Sequence, residues 1–167
     1  MKKAVILSTL ILFLLAFPLF LLAQEDIQKH PSCQYCGMDR SKFAHSRFYV
    51  AYEDGSAQGT CSIHCAAIDF ALHIDKIPKT MQVGDFYTKV LVDAEKAFWV
   101  LDGNKPGVMT KRAKWAFAKK EDAEKFMKEN GGSPISFDQV FKAAFEDMYE
   151  DTKMIQERRK MRRMQHK

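Results

Sequence analysis

The chain has 167 residues, a formal net charge of +5 and four cysteines. That length allows one or two small domains. The charge is concentrated: the last fifteen residues carry seven Lys or Arg against one Glu, so the remainder is near neutral and no nucleic-acid footprint runs through a folded body.

At the N-terminus, Lys2 and Lys3 precede an uncharged apolar run from Ala4 to Ala23. Basic residues ahead of an apolar core read as an export signal cleaved after Ala23. A run of about twenty apolar residues also suffices to span a bilayer, and Leu21 is large for its place in a cleavage site, so an uncleaved anchor is the alternative. Either way Lys2 and Lys3 stay cytoplasmic. The remainder is exported, to the periplasm or the outer face of the cytoplasmic membrane. No cysteine adjoins Ala23, so nothing supports lipidation there.

Residues 24–32 read as a polar linker. RFYVAYEDGSAQGT alternates bulky and polar residues around Asp54-Gly55, a hairpin signal. CSIHCAAIDFALHI changes to helical spacing, with Cys61, Cys65, Ile68 and Leu72 on one stripe and Pro78 beyond its end. FYTKVLVDA is expected as a strand. The second half repeats the order: strands at KAFWVLDG and RAKWAFAKK, a helix at EDAEKFMKENGG closed by Gly131 and Gly132, and a short strand at SPISF. The pattern predicts an α+β fold of two small ββαβ units packed together. Their spans are 33–92 and 93–137, within a metal-binding domain over 24–137. One long basic helix is expected over 138–167, apolar early and charged late.

The cysteines come as two tight pairs. Cys33 and Cys36 have knuckle spacing, and Gly37 suits the left-handed geometry of such a turn. Cys61 and Cys65 are four apart at a helix start, where the N-terminus favours thiolates, the metal-binding species. Together they form a candidate four-thiolate zinc site of the treble-clef kind. Two disulfides remain open in an exported chain, as does a Cys33-x-x-Cys36 thiol–disulfide couple, although no thioredoxin-like context surrounds it. Met38 tilts the choice of metal, because thioether sulfur selects copper(I) over zinc.

An ordered set of segments then resembles the NosL family, exported copper-binding accessory proteins of nitrous oxide reductase maturation. These are CGM at 36–38, EDGSAQGTCS at 53–62, DAEKAFWVLDG at 93–103 and GVMTKRAKWAFAKKEDAEKFMKENGG at 107–132. The resemblance implies a pair of ββαβ units and a copper(I) site using Cys36, Met38 and Met109. It also implies delivery of copper to an exported reductase or its assembly transporter. Cys33, Cys61 and Cys65 are additional to the simplest form of that family. They resemble a TRASH-type cysteine pattern, which implies zinc or heavy-metal binding in the first unit. The basic terminal helix lies outside both resemblances and is expected to contact an anionic membrane surface or an acidic partner.

Other candidates have simpler roles. His64 is expected at the surface or behind the ligands, and His30, His45 and His73 at the surface. Met81, Met148, Met154, Met161 and Met164 fit a helix face better than a metal-collecting tail, and Trp99 and Trp115 fit a core. No acid pair, phosphate loop or nucleophile elbow points to an enzyme.

Overall fold

The computed structural model describes residues 25–165, so the expected export signal or anchor over 1–23 lies outside them. No helix among the described residues is long and apolar enough to cross a membrane. Where the sequence reads as a polar linker, a short helix α1 (Glu25–Lys29) carries Asp26 into the body. The Asp26 carboxylate accepts from Arg40 Nη2 at 2.7 Å and from Arg47 Nε at 2.9 Å. Both arginine side chains are fully buried. Arg40 also donates to the carbonyls of His30 and Thr60, stitching α1 to the first unit. Helical hydropathy gave no hint of this network, because the anchoring residue is an acid.

The first unit starts with β1 (Phe48–Tyr52) and β2 (Ala57–Thr60), joined through the Asp54-Gly55 turn. Helix α2 (Ile63–Leu72) follows, then β3 (Pro78–Gly84) and β4 (Leu91–Asp93). The sheet order is β2-β1-β3-β4, antiparallel throughout. The strand expected at FYTKVLVDA is thus corrected twice. Its first half is a turn organised by Asp85, which accepts the Tyr87, Thr88 and Ala118 backbone N–H groups. The strand that pairs with β1 lies earlier, at Pro78–Gly84. The stripe on α2 also ends sooner than expected, since Leu72 is 64% exposed.

The second unit follows the predicted order: β5 (Phe98–Leu101), β6 (Lys114–Phe117), α3 (Lys120–Asn130) and β7 (Ser133–Ile135). Its sheet order is β6-β5-β7, again antiparallel. Strand period two divides its side chains between two cores. Trp99 and Ala116 join Phe48, Val50, Ile63 and Val140 in one. Val100, Trp115 and Phe117 join Phe126 and three buried cysteines in the other. The second sheet therefore lies between the two units' hydrophobic contents, and the cysteines sit where the units meet.

The long terminal helix is present, and the span expected for it is divided at one residue, Asp147. Helix α4 (Phe137–Glu146) opens with a capping box between Ser136 and Gln139, and α5 (Met148–Gln165) follows. Asp147 interrupts them while its carboxylate holds Arg112 at 2.9 Å and Lys114 at 2.8 Å. Neither Gly nor Pro marks the break; a tertiary ion pair fixes it.

Candidate metal centre

The knuckle is a closed turn. Cys33 N–H donates to the Met38 carbonyl and Gly37 N–H to the Cys33 carbonyl, both at 2.8 Å, with Gly37 at φ 74°. A side chain is disfavoured at that angle, so glycine lets Met38 follow Cys36 closely. The β1–β2 hairpin delivers the second pair. Thr60 ends β2, Cys61 comes next, Ser62 is the N-cap position of α2, and Cys65 lies in the first helical turn. Ser46 Oγ donates to the Cys61 carbonyl at 2.9 Å and fixes that junction.

All four cysteines are free thiols, and their sulfurs lie within 4.8 Å of one another. Cys36 Sγ is 3.4 Å from Cys61 Sγ, and Cys61 Sγ is 3.7 Å from Cys65 Sγ. Four thiolates around a metal at the usual metal–sulfur length stand about 3.8 Å apart along a tetrahedral edge. The Cys36–Cys61 and Cys61–Cys65 separations are close to that edge. No two of these sulfurs are bonded to each other.

The protonation pattern departs from the sequence expectation. Hydrogen bonds from Cys36, Cys61 and Cys65 push the Cys33 thiol down. The hydrogen bonds to Cys33 and Cys36, with burial behind them, push Cys61 and Cys65 up instead. A bound cation must displace those protons.

Two tyrosines and one acid hold the turn against the helix. Asp69 on α2 is fully buried. It accepts the hydroxyl of Tyr35, from inside the knuckle, and that of Tyr52, from β1. Both phenols are pushed up, first by burial and then by that carboxylate. Sequence reasoning missed this clamp, although a tyrosine within the first cysteine pair and an acid four residues after Cys65 were its visible signs.

Cys33, Cys61 and Cys65 are at most 1% exposed, whereas Cys36 is half-buried and opens onto a cavity of about 480 Å³. Met38 and Met109, about 70 residues apart, both line that cavity. A Cβ on Gly107 would come within 2.7 Å of the Thr110 carbonyl, and Met109 itself sits at φ 62°. Arg158, Arg159 and Arg162 of α5 form the opposite wall.

Of the two places expected for His64, the structure excludes the surface: it is 2% exposed, with Nδ1 3.4 Å from Asp151 Oδ2 on α5. Neither atom has a hydrogen-bond partner, and burial pushes the imidazole pKa down. His45 is likewise half-buried among Phe43, Phe86 and Trp115. His30 lies against Tyr49 with the rings tilted by 55°, and His73 pairs with Asp69. None of these rings joins the four-sulfur group. Trp99 and Trp115 are core residues, each 2% exposed.

Comparison with known families decides the kinship of this cysteine-bearing fold: the NosL family profile matches residues 24–145. The chain belongs to the NosL family. A search of curated proteins finds no match. Among solved structures, the crystal structure of the copper chaperone NosL from Shewanella denitrificans is similar, at 21% identity and a TM-score of 0.50. The alignment covers 64% of this chain and 87% of that one, and at that identity it speaks for the fold. The family match ends within α4, so α5 and its arginines lie beyond it.

Proposed function

We propose that the chain is an exported copper(I)-binding accessory protein. It takes up the ion as cargo and passes it to nitrous oxide reductase, a related exported copper enzyme, or the assembly transporter of such an enzyme. It performs no catalytic step. The observation that carries this reading is the meeting of Cys36, Met38 and Met109 at one cavity beside three further thiols. One thiolate and two thioethers form a soft, low-coordinate donor set, which copper(I) accepts and zinc does not. Family membership and the copper chaperone of similar fold support the same reading.

A second reading places zinc in the four-thiolate cluster, and the sulfur spacing there favours it. Cys36 belongs to both donor sets, so a single ion claims it unless its sulfur bridges two. The thiol–disulfide reading loses ground because Cys33 is buried and no helix begins at the pair.

The experiment is an anaerobic titration of the full chain with copper(I) and, separately, zinc, followed by X-ray absorption at each metal edge. Tight uptake of copper(I) into a sulfur-only shell that resists excess zinc supports the cargo role. Zinc in four sulfurs, undisplaced by copper(I), would replace it with the zinc reading.

A further inference from the structure

The cavity of Cys36, Met38 and Met109 has a wall that metal binding does not require. Arg158, Arg159 and Arg162 are exposed and face the cavity from the last turns of α5. Their spacing of one and four residues puts them on one side of the helix. Among the described residues none of the three lies within salt-bridge distance of a carboxylate, whereas Lys29, Lys96, Lys120 and Lys153 each pair with a nearby acid.

The wall is held in place from both sulfur-bearing segments. Asp151, buried near the start of α5, accepts the Lys111 backbone N–H at 2.9 Å, two residues past Met109. Arg159 Nη2 donates to the Cys36 carbonyl at 2.9 Å. The arginine turn therefore stays over the cavity as part of its architecture.

Copper(I) bound by the Cys36 thiolate and two thioethers is neutral overall, so it leaves three guanidinium charges uncompensated. Guanidinium forks match carboxylates in bidentate fashion. The cavity also has far more room than one ion needs. We propose that this wall docks a carboxylate-rich segment of the protein that exchanges copper with the chain, bringing a soft donor to Cys36, Met38 and Met109. The proposal rests on the copper reading for its purpose but not for its recognition chemistry. A planar anionic lipid surface fits less well, because a flat headgroup layer cannot enter a recessed cavity, whereas an extended segment can.

The test uses the full chain, with and without copper(I), and two synthetic peptides of equal length. Both carry a central methionine, flanked by Asp and Glu in one and by Asn and Gln in the other. The acidic peptide is expected to bind about tenfold tighter, as three exposed charge pairs allow. The preference should shrink between about 50 mM and about 300 mM NaCl. It should vanish in the triple variant Arg158→Gln, Arg159→Gln, Arg162→Gln and shrink but persist in the corresponding triple Lys variant, which keeps the charge without the bidentate fork. Equal binding of both peptides, or a preference that persists in the Gln variant, overturns the proposal. Arginine-dependent binding to phosphatidylglycerol vesicles without peptide discrimination also overturns it, in favour of a membrane role. Charge discrimination without copper(I) uptake would instead strike at the copper reading and leave the docking site standing.

Discussion

The two units share a ββαβ order, to which the first adds the edge strand β4, and differ in what they bury around their helices. The first places Cys61 and Cys65 at the start of α2 and sinks Asp69 and His64 in its body, all nearly free of solvent. The second keeps Glu121 exposed at the start of α3 and buries Ala123 and Phe126. Phe126 lies 4.9 Å from Phe86 and 5.3 Å from Phe117, ring centre to ring centre. The same topology thus serves two ends. One unit orders polar and sulfur chemistry, and the other supplies an aromatic mass against which the thiols are held. A duplicated pattern can leave its chemistry in one copy because the second copy's packing excludes water from the first.

This division predicts different kinds of fragility. Phe126→Ala should cost about 3–5 kcal/mol, as large truncations in tight cores do, and by the same amount with metal or with chelator. Cys65→Ser should cost little in chelator but remove most of the extra stability that metal confers, because metal affinity is folding free energy. Denaturant melts of both variants under both conditions check the contrast. A chelator-insensitive unmodified chain would break it.

How far these regions were legible from sequence follows the same line. The Asp54-Gly55 hairpin, the β5–β6–α3–β7 order and the cysteine pairs could be read because turn chemistry and spacing are local. Strand β3 could not: its residues PKTMQVG show no alternation, and pairing with β1 and β4 makes it a strand. The break at Asp147 depends on Arg112 and Lys114, some 35 residues away in sequence. Asp26 looked like linker because its partners, Arg40 and Arg47, are charged residues that patterning assigns to the surface. At the site, sulfur positions were readable and their supports were not. Tyr35 and Asp69 meet only through the fold, as do the arginines beyond the family match.

A smaller effect sharpens the comparison. Asp69→Asn leaves two phenols facing one neutral acceptor, and losing charge-assisted bonds of this type costs about 1.5–3 kcal/mol. Because Tyr35 lies within the knuckle, metal affinity should fall as well, more for the four-thiolate site than for a site on Cys36 alone. Parallel melts and zinc titrations of this variant read both quantities. Lost stability with unchanged zinc affinity would remove the clamp from the metal centre.

The smallest effect concerns acid. Burial lowers the pKa values of His64, His45 and His30 below the usual 6.5. The unfolded chain therefore takes protons near that value which the fold refuses. Stability should fall as pH drops below about 6.5, with each imidazole limited to about 1.4 kcal/mol per pH unit. His64→Gln should flatten this slope in chelator-treated protein, since it removes one of the three. Urea melts at pH 7.5 and pH 5 measure it. An unchanged slope would place the acid sensitivity elsewhere.

The central claim is that Cys36, Met38 and Met109 together hold copper(I), and Met109→Leu tests it most directly. Leucine keeps the volume and removes the sulfur, and a thioether adds softness without charge. Competition of this variant against a copper(I) chelator, beside a zinc titration and with Cys36→Ser for reference, gives the answer. The account predicts that Met109→Leu loses copper(I) affinity by at least about tenfold and leaves zinc nearly unchanged, whereas Cys36→Ser weakens both. Unchanged copper(I) affinity in a normally folded Met109→Leu protein would contradict it and leave Met109 as packing.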